Sequence, residues 1–289
     1  MNAIINWVAE YFTSMSNAEL ASIIFIASAS MFFVILERIF AYNTNQKILR
    51  EGFFDDLALY AIAQSYILGI IIFTSIIENL DNLTALSRQR LVAGWPLWVQ
   101  LVFFTVTHDV YIYWMHRWQH SNKYLWRIHE AHHSPTTVDW LSGSRSHAFE
   151  ILINQTVEFT PIILLGAAPE VVAYKGVISA VWGMYIHSNL NVHTGPLQRF
   201  INGPEMHRWH HTTGLGRNRN FATKLAIWDW LFGTAYLPSN QKAREYGLKI
   251  FFPTHFVSQF VRAFRKFPKH LPRTINETSP QKESLVYPP

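Results

Sequence analysis

Ten histidines in four tight groups, confined to one stretch of a largely apolar chain, constrain this fold more than any other feature. The stretch runs from Thr107 to Thr212 and holds twelve of the fourteen histidines. It opens with THDVYIYWMHRWQH, passes through WRIHEAHHS, and closes with MYIHSNLNVH and MHRWHHT. The grouped residues are His116 and His120; His129, His132 and His133; His187 and His193; and His207, His210 and His211. Residues four apart share one face of a helix. The pair His116/His120 can therefore serve one site, and each His-x-x-His-His box puts three imidazoles on a common face. A lone buried histidine is more often a hydrogen-bonded core residue than a ligand, and His108, His147, His255 and His270 are read that way. Ten grouped imidazoles are a different case. One tetrahedral zinc takes four ligands, so the set fits two metal ions with about five ligands each. Imidazole suits zinc, copper, iron and nickel, so ligand type alone does not choose the metal.

The flanking sequence is that of a membrane protein. Of the 289 residues, 49% are hydrophobic and only 15% charged, against about 25% charged in a soluble domain. Leu20–Phe40 and Leu57–Ile77 are each long enough to span a bilayer. Pro96–Met115 is a third apolar helix, with the first histidine pair emerging from its end, and Glu78–Trp95 reads as a polar connector. Phe149–Leu165 and Glu170–His187 form a hairpin around the turn Gly166–Pro169, spanning or re-entrant, at residues 149–187. The expected fold is all-α: an integral membrane bundle of about four to five apolar helices with a histidine-rich helical cap. The whole of 1–289 is read as one membrane domain. Residues 1–95 supply N-terminal membrane helices, 96–236 the histidine-box core, and 237–289 a basic amphipathic tail. Within these, Asn2–Thr13 is mildly amphipathic, Phe221–Thr234 is expected to be a short aromatic helix, and His255–Lys266 an interfacial one. Glu37 and Arg38 are placed where they can reach lipid headgroups.

Charge sets the expected orientation. Lys47, Arg50, Arg117, Lys123 and Arg127 fall on the histidine side, which is therefore expected to face the cytoplasm. The net charge of +5 suits anionic headgroups, and the chain carries no nucleic-acid reading motif. There is no cysteine, which excludes disulfides and Cys-ligated zinc or iron–sulfur clusters within the chain. Met1–Leu20 lacks the charged region of a cleavable signal peptide. Asp109, Glu130, Asn189 and Asp229 are the candidates to orient the imidazoles from outside, and Asp139 is a further acceptor near the boxes. A carboxylate such as Asp109 or Glu158 is costly in an apolar helix, so each is expected to have a partner.

At these residues the sequence resembles the fatty acid hydroxylase/sterol desaturase superfamily. The likeness runs from Asp109 to Thr234 through D-x-Y-x-Y-W-x-H-R-x-x-H, H-E-x-H-H, H-S-N, H-R-W-H-H and W-D-x-L-F-G-T. It implies a membrane-bound non-haem di-iron monooxygenase that uses O2 and electrons from a separate donor protein. Its substrates would be lipid-like, such as sterols or fatty acyl chains, with hydroxylation, desaturation or cleavage as outcomes. The implied ligands are His116, His120, His129, His132, His133, His207, His210 and His211, with His187 and His193 as the pair before the last box. Zinc can replace iron in purified material of such proteins. Two other readings stay open from the residues: a membrane metal or haem carrier, and a zinc hydrolase, since HEAHH satisfies H-E-x-x-H with Glu130 as base.

Overall fold

A computed structural model describes residues 17–239 and 241–266. The expected amphipathic segment Asn2–Thr13 and the tail from Phe267 onward lie outside them. The regular secondary structure of the described residues is helical, with only isolated bridges at Ala41–Leu190 and Thr212–Tyr246. In chain order the helices are α1 (Asn17–Ile39), α2 (Asp55–Thr84), α3 (Leu97–Ser121), α4 (Lys123–His129), α5 (Ala148–Leu164), α6 (Pro169–His187), α7 (Pro204–His210), α8 (Ile227–Leu231) and α9 (Phe256–Arg262).

Two of them, Leu20–Ile39 of α1 and the whole of α2, are long and apolar enough to cross a membrane, and most of their surface is unburied. Phe25, Met31 and Phe32 of α1 and Ile62 and Ile67 of α2 are exposed. Apolar side chains outward on this scale mark a lipid-facing surface rather than the core of a soluble protein. The helix α2 runs 30 residues, because it continues through Glu78–Thr84, where a polar connector was expected. Residues Asp55–Gln64 and Ile71–Ile77 are wound as π-helix. The third helix also outruns its expected end. It continues to Ser121, so His116 and His120 lie within it rather than beyond it.

The hairpin is present. Pro169 opens α6 as its first residue, and α5 passes Pro161 without a break near its end. Gly166 has φ +66°, and a Cβ there would sit 2.7 Å from the Arg90 Cα. Both conditions require glycine at the turn. The central core is built from Leu68, Ile72 and Ile77 of α2, Phe104 of α3, Phe159 and Ile162 of α5, and Val171 of α6.

Lipid tails are as apolar as leucine, so burying apolar faces against each other gives little net drive between membrane helices. Polar clamps then fix the register. Asp56, Tyr60 and Gln64 form the buried polar face of the first turns of α2. Gln64 Nε2 donates to the Ser146 carbonyl at 2.9 Å. Asp56 receives Arg145 Nε at 2.7 Å and Arg50 Nη2 at 2.7 Å, and Arg50 Nε also donates to Asp139 at 2.7 Å. Glu37 does not reach the headgroups. It is buried, and its Oε1 accepts from the backbone N–H of both Trp140 and Asn189 at 2.8 Å. The end of α1 thus ties together two loops that flank the histidine boxes.

The expected helix at 221–234 shrinks to Ile227–Leu231. Two carboxylates capture the backbone that would have extended it. Asp109 accepts from the N–H of Lys224 at 2.9 Å and Leu225 at 2.8 Å, and Asp229 accepts from Phe221 at 2.8 Å and Ala222 at 2.9 Å. The interfacial helix is also shorter than expected, and it is docked. Gln259 of α9 is buried and accepts from Tyr60 Oη of α2, while Phe260 stacks on His147 with ring centroids 4.7 Å apart. Val257 and Val261 remain exposed on its other face.

Candidate metal centre

Four helices and their ends bring nine histidines together in two adjoining groups. His116, His120, His129, His133 and His210 form one, and His132, His187, His207 and His211 the other. All nine are buried, and within each group the ligand nitrogens lie within 4.8 Å of one another. The boxes do not each serve one site. His129 and His133 enter the five-histidine group while His132 enters the other; His207 and His211 enter the four-histidine group while His210 crosses back. The i and i+4 residues share a site, and the i+3 residue, about 60° round the helix from i, reaches the neighbouring one. Each triplet therefore joins both groups. His193 does not take part. It is exposed in the loop after α6 and stands in neither group.

The outward nitrogens fix the tautomers. Nδ1 of His116 faces the Phe221 carbonyl at 2.7 Å, that of His132 the Arg145 carbonyl at 3.2 Å, that of His187 the Gly183 carbonyl at 2.8 Å, and that of His210 the Arg219 carbonyl at 2.7 Å. Carbonyl oxygens only accept, so each neutral ring carries its proton on Nδ1 and turns the Nε2 lone pair inward. The result is electrostatically incomplete. Nε2 of His132 and Nε2 of His187 face each other at 3.2 Å with no proton between them. Nε2 of His116 and of His210 are buried with no hydrogen-bond partner among the described residues. A cation resolves both conflicts, since buried polar atoms are otherwise paired.

The spacing also fits a metal. Bonds of about 2.0–2.1 Å to imidazole nitrogen at right to tetrahedral angles put neighbouring nitrogens roughly 2.9–3.4 Å apart. Adjacent Nε2 atoms here are separated by 3.1 Å (His120–His133), 3.2 Å (His129–His133), 2.9 Å (His187–His207) and 3.1 Å (His207–His211). Burial, reinforced by the neighbouring rings, holds His132, His133, His207 and His211 well below the ordinary imidazole range, and burial pushes His210 down to about 3. Neutral rings are the form that binds metal.

The acidic residues singled out from the sequence act at one remove or elsewhere. Asp109 touches no imidazole. It accepts from Thr223 Oγ1 at 2.9 Å and Trp228 Nε1 at 3.0 Å as well as the two N–H groups above, and so pins the segment after Phe221. Asp229 holds the Phe221 N–H, and the Phe221 carbonyl holds His116. Asn189 is a clamp to the first loop, with Oδ1 accepting from the Asn43 N–H at 2.9 Å. Glu130 faces away from the imidazoles, to Arg127 at 2.9 Å and Arg262 at 3.0 Å. Asp139 grips Arg50. Through Asp56 that chain reaches Arg145, whose carbonyl orients His132.

The residue missed from sequence is Glu150, in the first turn of α5. Its Oε1 lies 2.8 Å from His129 Nδ1. The His147-Ala-Phe-Glu run next to the boxes carried that signal. Gly143 was missed too. A Cβ there would sit 2.5 Å from His187 Nδ1, so only glycine lets this ring pack where it does.

The family model for fatty acid hydroxylase matches residues 101–234. An ornithine lipid hydroxylase of Rhizobium tropici is 32% identical over 173 residues, 60% of this chain and 52% of that protein. An alkylglycerol monooxygenase of Danio rerio is 33% identical over 58% of this chain and 35% of its own length. A methylsterol monooxygenase of Arabidopsis thaliana is 30% identical over 47% of each chain. The chain thus spans about half the length, or less, of these relatives. No solved structure matches.

Proposed function

From the match of residues 101–234 to the fatty acid hydroxylase family model, we propose that this membrane protein is a di-iron monooxygenase that hydroxylates an unactivated C–H bond of a lipid. Its histidine face would point to the cytoplasm, and its electrons would come from a separate donor protein. The observation that carries this reading is the pair of adjoining, buried groups of five and four imidazoles, with their Nε2 atoms turned inward. When bound there, iron supplies the one-electron chemistry needed to reduce O2 and oxidise an aliphatic carbon. Overall, C–H and O2 with two electrons and two protons give C–OH and water.

The chain's own residues have three tasks in this scheme. Glu150 and the carbonyls of Phe221, Arg145, Gly183 and Arg219 orient the rings and keep their protons on Nδ1. The five-plus-four shell is neutral, so the metal charge is retained, and among the described residues Glu150 is the one carboxylate that hydrogen-bonds one of these rings. The boxes sit at the ends of apolar helices, where a lipid chain can reach them from the bilayer while water is kept out. A zinc hydrolase would need Glu130 as its base, and Glu130 is already held by two arginines.

The test is metal and turnover together. The full chain, purified in detergent under anaerobic conditions, should bind two iron ions and consume O2 only with reductant and lipid present. His132→Ala should remove metal from the four-histidine group and abolish product while the protein still inserts in the membrane. Full turnover by a His132→Ala protein with unchanged iron content would refute the assignment.

A further inference from the structure

Three helices carry a polar ridge that begins at the metal centre and ends in a second buried cluster. Residues four apart form one ridge of a helix surface. On α3 the ridge reads His116, Ile112, His108; on α5 it reads Glu150, Asn154, Glu158; on α6 it reads His187, Gly183, Ser179, Lys175. The first residue of each belongs to the metal centre. The last ones meet each other. Lys175 Nζ donates to Glu158 Oε1 and to Ser179 Oγ at 3.1 Å, and lies 3.5 Å from His108 Nδ1. Ser179 Oγ also donates to Glu158 at 2.5 Å. Lys175 is wholly buried, and Glu158, His108 and Lys224 are 6%, 8% and 7% exposed. Eight residues of helix separate His108 from His116, a rise of about 12 Å.

Ionisable groups among apolar membrane helices are costly, and where they persist they mark a function. This cluster is not closed on itself. His108 Nε2 is buried without a partner among the described residues, and Lys224, whose charge acts on His108, Glu158 and Lys175, has no side-chain hydrogen bond or ion pair among them. The Lys224 ammonium can only donate, so what completes it must carry an acceptor oxygen. Between the two ends, a Cβ on Gly183 would meet nothing within 4 Å, which leaves open space one turn from His187.

We propose that the space beside Gly183 is part of the substrate channel, and that His108, held by the Glu158–Lys175 pair, and the neighbouring Lys224 bind a hydroxyl or carboxylate oxygen of the lipid about 12 Å from the metal centre. The inference rests on the proposed lipid oxidation for the word substrate, but the site is testable without turnover. A site built to hydrogen-bond a ligand oxygen rejects the analogue that lacks it, because its own polar groups are left unpaired.

The experiment is equilibrium binding of radiolabelled 1-dodecanol, dodecanoate and dodecane to the metal-loaded full chain in nanodiscs, corrected for partition into empty nanodiscs. One of the oxygenated probes should bind at least about tenfold more tightly than dodecane. A preference for dodecanoate identifies a carboxylate, and a preference for dodecanol a hydroxyl. His108→Leu and Lys224→Met should each remove most of that preference with metal content unchanged, and Gly183→Leu should block all three probes. His108→Asn and Lys224→Gln serve where the apolar variants fail to fold. Equal affinity for all three probes, or an unchanged preference in the folded variants, would overturn the inference. Discrimination without any oxidised product would sink the proposed reaction and leave this site standing.

Discussion

Glu150→Leu separates the two histidine groups. Glu150 Oε1 accepts from His129 Nδ1 at 2.8 Å, and its other oxygen is buried without a partner. Leucine therefore removes one charge-assisted hydrogen bond and one unpaired buried oxygen together. Leaving the His129 Nδ1–H unpaired costs about 1–3 kcal/mol, partly offset by loss of the unpaired carboxylate oxygen, so overall stability should change little. Metal affinity should change more. Losing the partner that orients a ligand histidine typically costs 10–100-fold, or about 1.4–2.7 kcal/mol. Because His129 belongs to the five-histidine group alone, the loss should be confined to one of two binding events. The assay is cobalt(II) titration of the metal-depleted full chain against a chelator of known affinity. Native protein should take up one equivalent per group; Glu150→Leu should weaken one equivalent and spare the other. Glu150→Gln, which keeps an acceptor oxygen, should recover most of the affinity. A shift below about twofold in Glu150→Leu, or equal weakening of both equivalents, would refute the argument.

Other outcomes follow from the same geometry. Gly143→Ala puts a methyl 2.5 Å from His187 Nδ1, so it should displace that ring and deplete metal from the four-histidine group, measured by stoichiometry. His193→Ala, at an exposed loop position outside both groups, should leave metal content at the native value. Asp56→Ala strips two buried arginines of their shared carboxylate and should cost about 3–5 kcal/mol, seen as a lower melting temperature in detergent even with metal bound. The metal-depleted protein should weaken in acid. Burial holds His132 and His207 well below the ordinary imidazole value of about 6.5 and pushes His210 down to about 3. Between these values the unfolded chain binds more protons than the folded one, so stability falls as pH drops below 6.5, by up to about 1.4 kcal/mol per pH unit for each such histidine. A melting temperature flat from pH 8 to pH 5 would show that the rings are already charged or exposed.

Local pattern made much of this protein legible in advance. The i, i+4 spacing of His116/His120, the apolar runs of α1 and α2 and the Gly-Pro turn of the hairpin are short-range features, and the structure keeps them. Their boundaries moved where long-range partners intervene. Asp109 and Asp229 shortened the helix expected at 221–234 by taking its backbone N–H groups, and nothing near them in sequence announces that reach. Tertiary structure alone decided how the histidines divide. Spacing placed His129, His132 and His133 on one helix face, but it does not say that His132 would meet His187 and His207 while its two neighbours meet His116 and His210. It also decided that Glu150 rather than Glu130 touches a histidine of the cluster, and that His193 stays outside. Helix periodicity fixes which side chains point the same way; which histidine group they join depends on the docking of segments distant in sequence, set by buried carboxylates and backbone carbonyls that composition and spacing do not specify.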